Sequence, residues 1–143
     1  MREIKFRGKR LDNGKWAIGD LRHRNDSSVT IITNLNVWSD NNDKVDAYGE
    51  EFEVDPATVG QYTGLNGMNG KEIYEDDILK DTRDGSTYCV TFKHGMFYAL
   101  VHKRYKNLFS KFPLGVLIRQ ENENYAIIGN IHDNPELMEG FKL

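Results

Sequence analysis

Turn-forming residues recur along this chain at intervals that leave room only for short strands. Asp12-Asn13-Gly14, Asn69-Gly70, Asp84-Gly85 and His94-Gly95 each contain residues that tolerate a positive φ angle. Short runs of β-branched and aromatic residues lie between them, with apolar and polar positions alternating. Turns spaced about 8 to 12 residues apart are typical of all-β sandwiches and barrels. The sequence therefore predicts a mainly β protein.

The N-terminal part, residues 1–55, is predicted to form an antiparallel meander. A first hairpin turns at Asp12-Asn13-Gly14, and a third strand begins at Val29 after a polar turn. Residues 36–50 are interpreted as irregular, followed by a short strand that Pro56 ends. The alternation within the first hairpin predicts one buried face, made of Ile4, Phe6, Trp16 and Ile18.

Residues 59–132 are predicted to form an SH3-like small barrel on which the meander packs. An acidic turn precedes the strand beginning at Ile78, and hairpins with alternating aromatic residues follow. Apolar residues over 101–112 recur at helical spacing, which leaves two alternatives open: a helix that Pro113 ends, or a strand continuing from Phe97 and followed by a loop. Residues 133–143 form the tail, with a helical turn over 135–139 that Asn134 caps and Pro135 begins.

The chain of 143 residues is long enough to bury a core without disulfides. Its single cysteine, Cys89, lies in an apolar stretch and is interpreted as a buried small hydrophobe. Neither a signal peptide nor an apolar run of the roughly 18 residues that span a membrane is visible. We therefore expect a cytoplasmic protein that does not contact membranes, and the sequence predicts no cofactor.

Charge is distributed in blocks behind the net charge of −3. Residues 1–24 carry eight Lys/Arg and three Asp/Glu, whereas residues 40–84 carry four Lys/Arg and thirteen Asp/Glu. Residues 85–120, called here the acid-free segment, carry six Lys/Arg and no acid. Such blocks can pair between copies of the chain or steer a basic face towards nucleic acid. They can equally interleave on folding into an ordinary mixed surface.

The acid-free segment supplies the best candidates for nucleic-acid binding. Basic residues interleaved with aromatic ones can contact phosphates and stack on bases. The alternative is an amphipathic element whose aromatic residues, Tyr105 and Phe109 among them, are buried in the core. The candidate residues are Lys103, Arg104, Tyr105, Lys106 and Lys111.

The sequence supports a metal site or a catalytic site less well than a nucleic-acid-binding site. In the acidic turn Glu75-Asp76-Asp77, only Glu75 and Asp77 would share a strand face, so a metal would need a distant ligand such as His132 or Asp133. Residues 40–51 match a calcium loop only at its final glutamate, Glu51. The glycines between 60 and 70 match neither a dinucleotide nor a phosphate loop. The sequence therefore predicts no catalytic residues and no metal site.

Four blocks together carry a family resemblance: Met1 to Lys9, Asp12 to Leu21, Thr58 to Leu79 and Ile127 to Leu137. In this order they resemble the YopX family of phage and prophage proteins. The resemblance implies a small, mainly β, phage-encoded protein of unestablished activity, and it supplies no catalytic residues. Asp76 stands where the family usually has Gly, which argues against a turn with a positive φ angle there. The signature residues that we interpret as structural are Gly60, Tyr62, Gly64, Asn69, Gly70, Glu75 and Asp77.

These observations favour a non-enzymatic accessory protein that acts as a binding or assembly module. Self-association is the expected partnership, because edge strands pair readily and the charge blocks are complementary. A phage or host protein is a further candidate partner. A nucleic-acid-binding module that uses the acid-free segment is the second hypothesis. A metal-dependent enzyme built on residues 75–77 is the third.

Overall fold

The computed structural model describes residues 1–39, 45–105, 109–119 and 121–141, with the backbone alone for 35–39 and 45–48. Within them the chain forms eleven strands and one short α-helix, so the mainly β prediction is confirmed. The chain divides into two compact units, residues 1–61 and 62–143. No helix in the described ranges has the length and apolar character needed to cross a membrane.

The N-terminal unit is an antiparallel meander, as predicted. Its strands β1 (Phe6–Lys9), β2 (Trp16–His23), β3 (Val29–Ser39) and β4 (Val45–Val54) pair in chain order. Strand β5 (Gly60–Asn66) begins in this unit, and its first two residues pair with β1. At the first turn Gly14 has a φ angle of 70°, and its N–H donates to the carbonyl of Arg10 at 2.9 Å.

The predicted buried face of the first hairpin is wrong. Ile18 is 45% exposed and Ile4, which precedes β1, is 51% exposed, whereas Ala17 is 4% exposed. Ala17 faces a core of Val29, Ile31 and Val54, with Phe6 packed against it. Most of this core comes from β3 and β4, and where β1 and β2 pair at Gly8 and Ala17 they present small residues to it. A Cβ added to Gly8 would lie 2.9 Å from Val54.

Strands β3 and β4 are longer than the sequence suggested. Residues 36–39 and 45–50 continue the ladder that was expected to end, with a register shift between Thr33 and Asn36. This β-bulge shifts the register locally, and the two strands continue to pair beyond it. Residues 40–44, the first five of the twelve positions of the candidate calcium loop, lie outside the described ranges. Its last position, Glu51, accepts a hydrogen bond from Thr30 Oγ1 at 2.7 Å.

The C-terminal unit contains the rest of β5, paired with β6 (Glu72–Tyr74), and a five-stranded antiparallel sheet. In spatial order the sheet is β10 (Lys111–Pro113), β9 (Met96–Val101), β8 (Thr87–Lys93), β7 (Asp77–Asp81) and β11 (Tyr125–Asn130). In this order β10 and β11 are edge strands, and no pairing in the described ranges closes the sheet. The SH3-like barrel therefore stays a prediction.

Of the two alternatives for residues 101–112, the described part of the range shows the strand that continues from Phe97 and no α-helix. Strand β9 reaches Val101, a 3₁₀ turn spans Lys103–Tyr105, and β10 follows. The α-helix, α1 (Leu114–Ile118), begins directly after Pro113, which was expected to end a helix. Proline fixes φ at a value that suits the start of a helix, so Pro113 can precede this helix as its N-cap residue.

Both faces of β8 are buried over residues 88–90. Tyr88 and Val90 face a core that α1 and β11 complete, while Cys89 faces a second cluster with Ile78 and Leu100. The C-terminal segment, residues 131–141, covers that second cluster. It contains a 3₁₀ turn at Pro135–Met138, which agrees with the predicted helical turn. Asn134 does not cap this turn through its side chain, which instead accepts the N–H of Asn130 at 3.3 Å.

Candidate functional site

The glycine-rich signature forms a series of turns. Tyr62 is buried, and its ring centroid lies 5.6 Å from that of Tyr74. Asn69 and Gly70 have φ angles of 60° and 71°, which confirms the predicted tight turn. Glu123 accepts the N–H of Asn69 at 3.1 Å and so ties this turn to a distant segment. Gly60, which begins β5, is buried, and Gly64 has a φ angle of 81°.

The acidic turn, residues 75–77, has a buried carboxylate that bonds to the backbone. Asp77 is 1% exposed, and its carboxylate accepts the N–H of Tyr74 at 2.8 Å. Asp76 has a φ angle of 71°, so a turn with positive φ does exist where the family usually has Gly. Aspartate is among the few residues that adopt this region. Glu75 is partly buried within the same turn.

Asp76 links three segments. Its N–H donates to Val90 at 2.9 Å, and its carbonyl accepts from Ile131 at 3.0 Å. Its carboxylate lies 3.1 Å from Nε2 of His132, with both side chains mostly buried. The central and C-terminal blocks of the family resemblance therefore meet at this pair. This contact could not be predicted from the sequence, because the two residues are 56 positions apart and the only signal was that each lies in such a block.

The loop around His132 is organised by Asn130. The side-chain oxygen of Asn130 accepts the N–H groups of His132 at 3.0 Å and Asp133 at 2.9 Å. Its amide nitrogen donates to the Asp133 carboxylate at 3.0 Å. His132 and Asp133, the two distant residues considered as metal ligands, are therefore part of a hydrogen-bonded loop. In the described ranges no three His, Cys, Asp or Glu side chains are grouped so as to hold a metal ion.

Cys89 is buried, as predicted, with 0% exposure. Burial raises the pKa of its thiol to about 12, and the nearby carboxylates of Asp76 and Asp77 act in the same direction. The reactive form of cysteine is the thiolate, which is scarce at neutral pH when the pKa is this high. Cys89 therefore packs as a small apolar residue.

The nucleic-acid candidates lie at one end of the five-stranded sheet. Lys103, Arg104 and Tyr105 are exposed in the 3₁₀ turn after β9. Lys111 lies in β10, with its amine 4.7 Å from the ring centroid of Tyr98. Lys106 lies outside the described residues. Phe109 is 58% exposed and Tyr105 is 36% exposed, so these two aromatic residues are not core residues.

Strand β4 is an edge of the N-terminal meander. It pairs with β3 on one side, and on the other side its C-terminal end meets the residues after β1. There the N–H of Leu11 donates to the carbonyl of Glu53 at 3.0 Å, and the N–H of Asp55 donates to Lys9 at 2.8 Å. The side chains of Glu50, Glu51 and Glu53 are exposed along this edge.

Comparisons with known proteins identify a family and a fold. The family model described as YopX protein matches residues 5–139. No curated protein matches the sequence. A solved structure, the crystal structure of protein EF1440 from Enterococcus faecalis, is similar with a TM-score of 0.68 and 23% identity. The similarity covers 97% of this chain and 100% of that one, and at this identity it shows a shared fold.

Proposed function

The chain belongs to the YopX family, and we propose that it is a non-enzymatic binding module that assembles with further copies of itself. The observation that carries the proposal is the acidic edge strand β4. An edge strand exposes a row of backbone N–H and C=O groups that can accept another strand. Over 45–52, no strand pairing other than that with β3 occurs among the described residues.

The charges favour a contact between two different edges. Two β4 strands paired antiparallel around residues 50 and 51 would bring Glu50 and Glu51 close to their own copies, and like charges directly opposite destabilise a sheet. The acid-free segment provides a basic edge instead, at β10 with Lys111 and the neighbouring 3₁₀ turn. Pairing β4 of one copy with β10 of the next is a head-to-tail contact, which produces rings or filaments.

The proposal has two further parts, the first of which the family resemblance supports. The protein is an accessory protein encoded by a phage or prophage, and it acts in the cytoplasm. Fractionation of producing cells checks the second part. Recovery with the membrane pellet after a salt wash would contradict it.

Light scattering at low and high ionic strength tests the assembly. We expect oligomers in low salt that dissociate in high salt, because contacts between exposed charges are screened. The carbonyl of Glu53 points away from β3 towards Leu11, and strand alternation directs the N–H of Glu51 the same way. Glu51→Pro should therefore spare the β3 ladder and block an added strand.

Glu51→Ala is the matched control, since it removes the same carboxylate and keeps the N–H. It should weaken assembly less than Glu51→Pro, and circular dichroism should show that both variants are folded. A monomer in both salt conditions would refute self-association. Equal effects of the two variants would refute pairing through β4.

A specific observation favours a second candidate, a nucleic-acid-binding module. Tyr105 and Phe109 are exposed beside Lys103, Arg104 and Lys111, so aromatic rings are available for stacking on bases. The acid-free segment would supply the phosphate contacts.

A further inference from the structure

A groove of about 350 Å³ lies within the C-terminal unit, between the five-stranded sheet and the C-terminal segment. Its sheet side is formed by Ile78, Thr87 and Ile128, and Leu137 and Phe141 line the opposite side. Ile128 is 41% exposed although it is a large apolar residue on a strand. A concave site of this size with apolar walls and a few polar groups is typical of small-molecule sites.

Contacts around His102 hold the C-terminal side of the groove in place. Nε2 of His102 donates to the carbonyl of Glu139 at 2.7 Å, and Nδ1 accepts the N–H of Arg104 at 3.1 Å. The N–H of Lys103 donates to the carbonyl of Gly140 at 2.9 Å. The rings of Phe141 and His102 pack in a T-shaped arrangement with their centroids 5.0 Å apart. The wall is therefore preformed, which lowers the entropic cost of binding.

The charged groups that line the groove favour a cation. Glu136, Glu139 and Lys103 all line it, so carboxylates outnumber ammonium groups two to one. None of the three forms a side-chain ion pair with another of the described residues. Both ring nitrogens of His102 already bond to the backbone. Phe141 adds an aromatic ring, whose face attracts cations.

We propose that this groove binds a ligand in which an ammonium group adjoins an apolar body. The apolar body lies against Ile78, Ile128 and Phe141, and the ammonium group pairs with Glu136 and Glu139. Such a ligand is either a small amine or the amino end of a peptide that begins with an apolar residue. This site is independent of assembly through β4.

Two probes of similar shape and opposite charge test the proposal, phenethylamine and 3-phenylpropionate. Titration of ¹⁵N-labelled protein should show saturable amide shifts at Thr87 and Ile128 with phenethylamine and none with the acid. Glu136→Gln should weaken phenethylamine binding by about three- to tenfold, since a partly exposed ion pair is worth about 1 kcal/mol. Glu50→Gln, an exposed glutamate on β4, is the control and should change nothing.

The tripeptide amide Phe-Gly-Gly distinguishes the two sources of the ligand. Binding of both cationic probes identifies a site for a peptide amino end, and binding of phenethylamine alone identifies a site for small amines. Three results would overturn the proposal: no saturable shift with phenethylamine, equal binding of 3-phenylpropionate, or an affinity that Glu136→Gln leaves unchanged.

Discussion

At the scale of single residues, Asp76 combines backbone strain with a connecting role. It holds a φ angle of 71° and bonds to His132 through its carboxylate. An L-residue in the left-handed region costs about 1–2 kcal/mol relative to the right-handed one, and glycine avoids this cost. Asp76 retains the conformation that glycine would adopt freely and adds a side-chain contact that glycine cannot make.

Substitutions at Asp76 separate the two contributions. Asp76→Gly and Asp76→Ala both remove the contact with His132, but only alanine keeps the strain of a Cβ. We therefore expect Asp76→Ala to have a free energy of unfolding about 1–2 kcal/mol below that of Asp76→Gly in urea denaturation. Asp76→Asn keeps an acceptor and tolerates positive φ, so it should lie closest to the natural protein. Equal stability of the alanine and glycine variants would show that strain at this turn is negligible.

At the scale of elements, the β7–β8 hairpin is held by Asp81. Its side chain is 6% exposed and accepts two hydrogen bonds from the Arg83 guanidinium, at 3.0 and 2.9 Å. The N–H of Arg83 also donates to it at 2.9 Å. The side-chain hydrogen bonds of Arg83 lower the pKa of Asp81 below its ordinary value, although burial acts in the opposite direction.

This lowered pKa predicts a pH dependence of stability. Asp81 binds protons more weakly in the folded state, so its contribution is complete above its unfolded pKa of about 3.9. The contribution is lost as the pH falls through the lower folded value. Between pH 5 and 2, about the range where carboxylates titrate, Arg83→Gln should lose less stability than the natural protein. Lys80→Gln, an exposed neighbour on β7, is the control, and an identical acid response of both variants would contradict the role of Arg83.

At the scale of the whole molecule, the charge of the folded surface determines whether nucleic acid or another copy of the chain is the better partner. The sequence left open whether the acid-free segment is a basic face or part of a mixed surface. In the C-terminal unit, Glu136 and Glu139 line the same groove as Lys103, so folding brings acids to one part of this segment. Lys111, in the edge strand β10, does not line this groove. The surface is therefore mixed at one end of the segment.

A salt titration measures what this surface does with nucleic acid. If Lys103, Arg104, Lys106 and Lys111 contact phosphates, the log–log slope of affinity against salt should be about −3 to −4. Replacing Lys103 and Arg104 with Gln should flatten it by about two, whatever the base sequence. Replacing Lys71 and Lys80, exposed lysines outside the acid-free segment, should have no effect. Absence of binding to single- and double-stranded DNA and RNA at low salt would exclude this candidate.

Local chemistry in the sequence determined the strand-rich class, most turns and the burial of Cys89. Residues such as Gly14, Gly70 and the pair His94-Gly95 specify positive φ by themselves, because few other residues adopt it. The same local rules located the turn at Pro135. These features depend on neighbours in the chain, so the sequence alone was enough to predict them.

Tertiary structure decided what depends on distant neighbours. Alternation in the first hairpin defines two faces, but only the bulk of Val54 and Ile31 made the face of Ala17 the buried one. Apolar residues over 101–112 recur at helical spacing, but Val101 pairs with Tyr88 of β8 and β10 pairs with β9, so strand pairing occurs at both ends of this range. Asp76 and His132 are 56 positions apart in the chain, so only the folded arrangement of the residues between them brings the two side chains together.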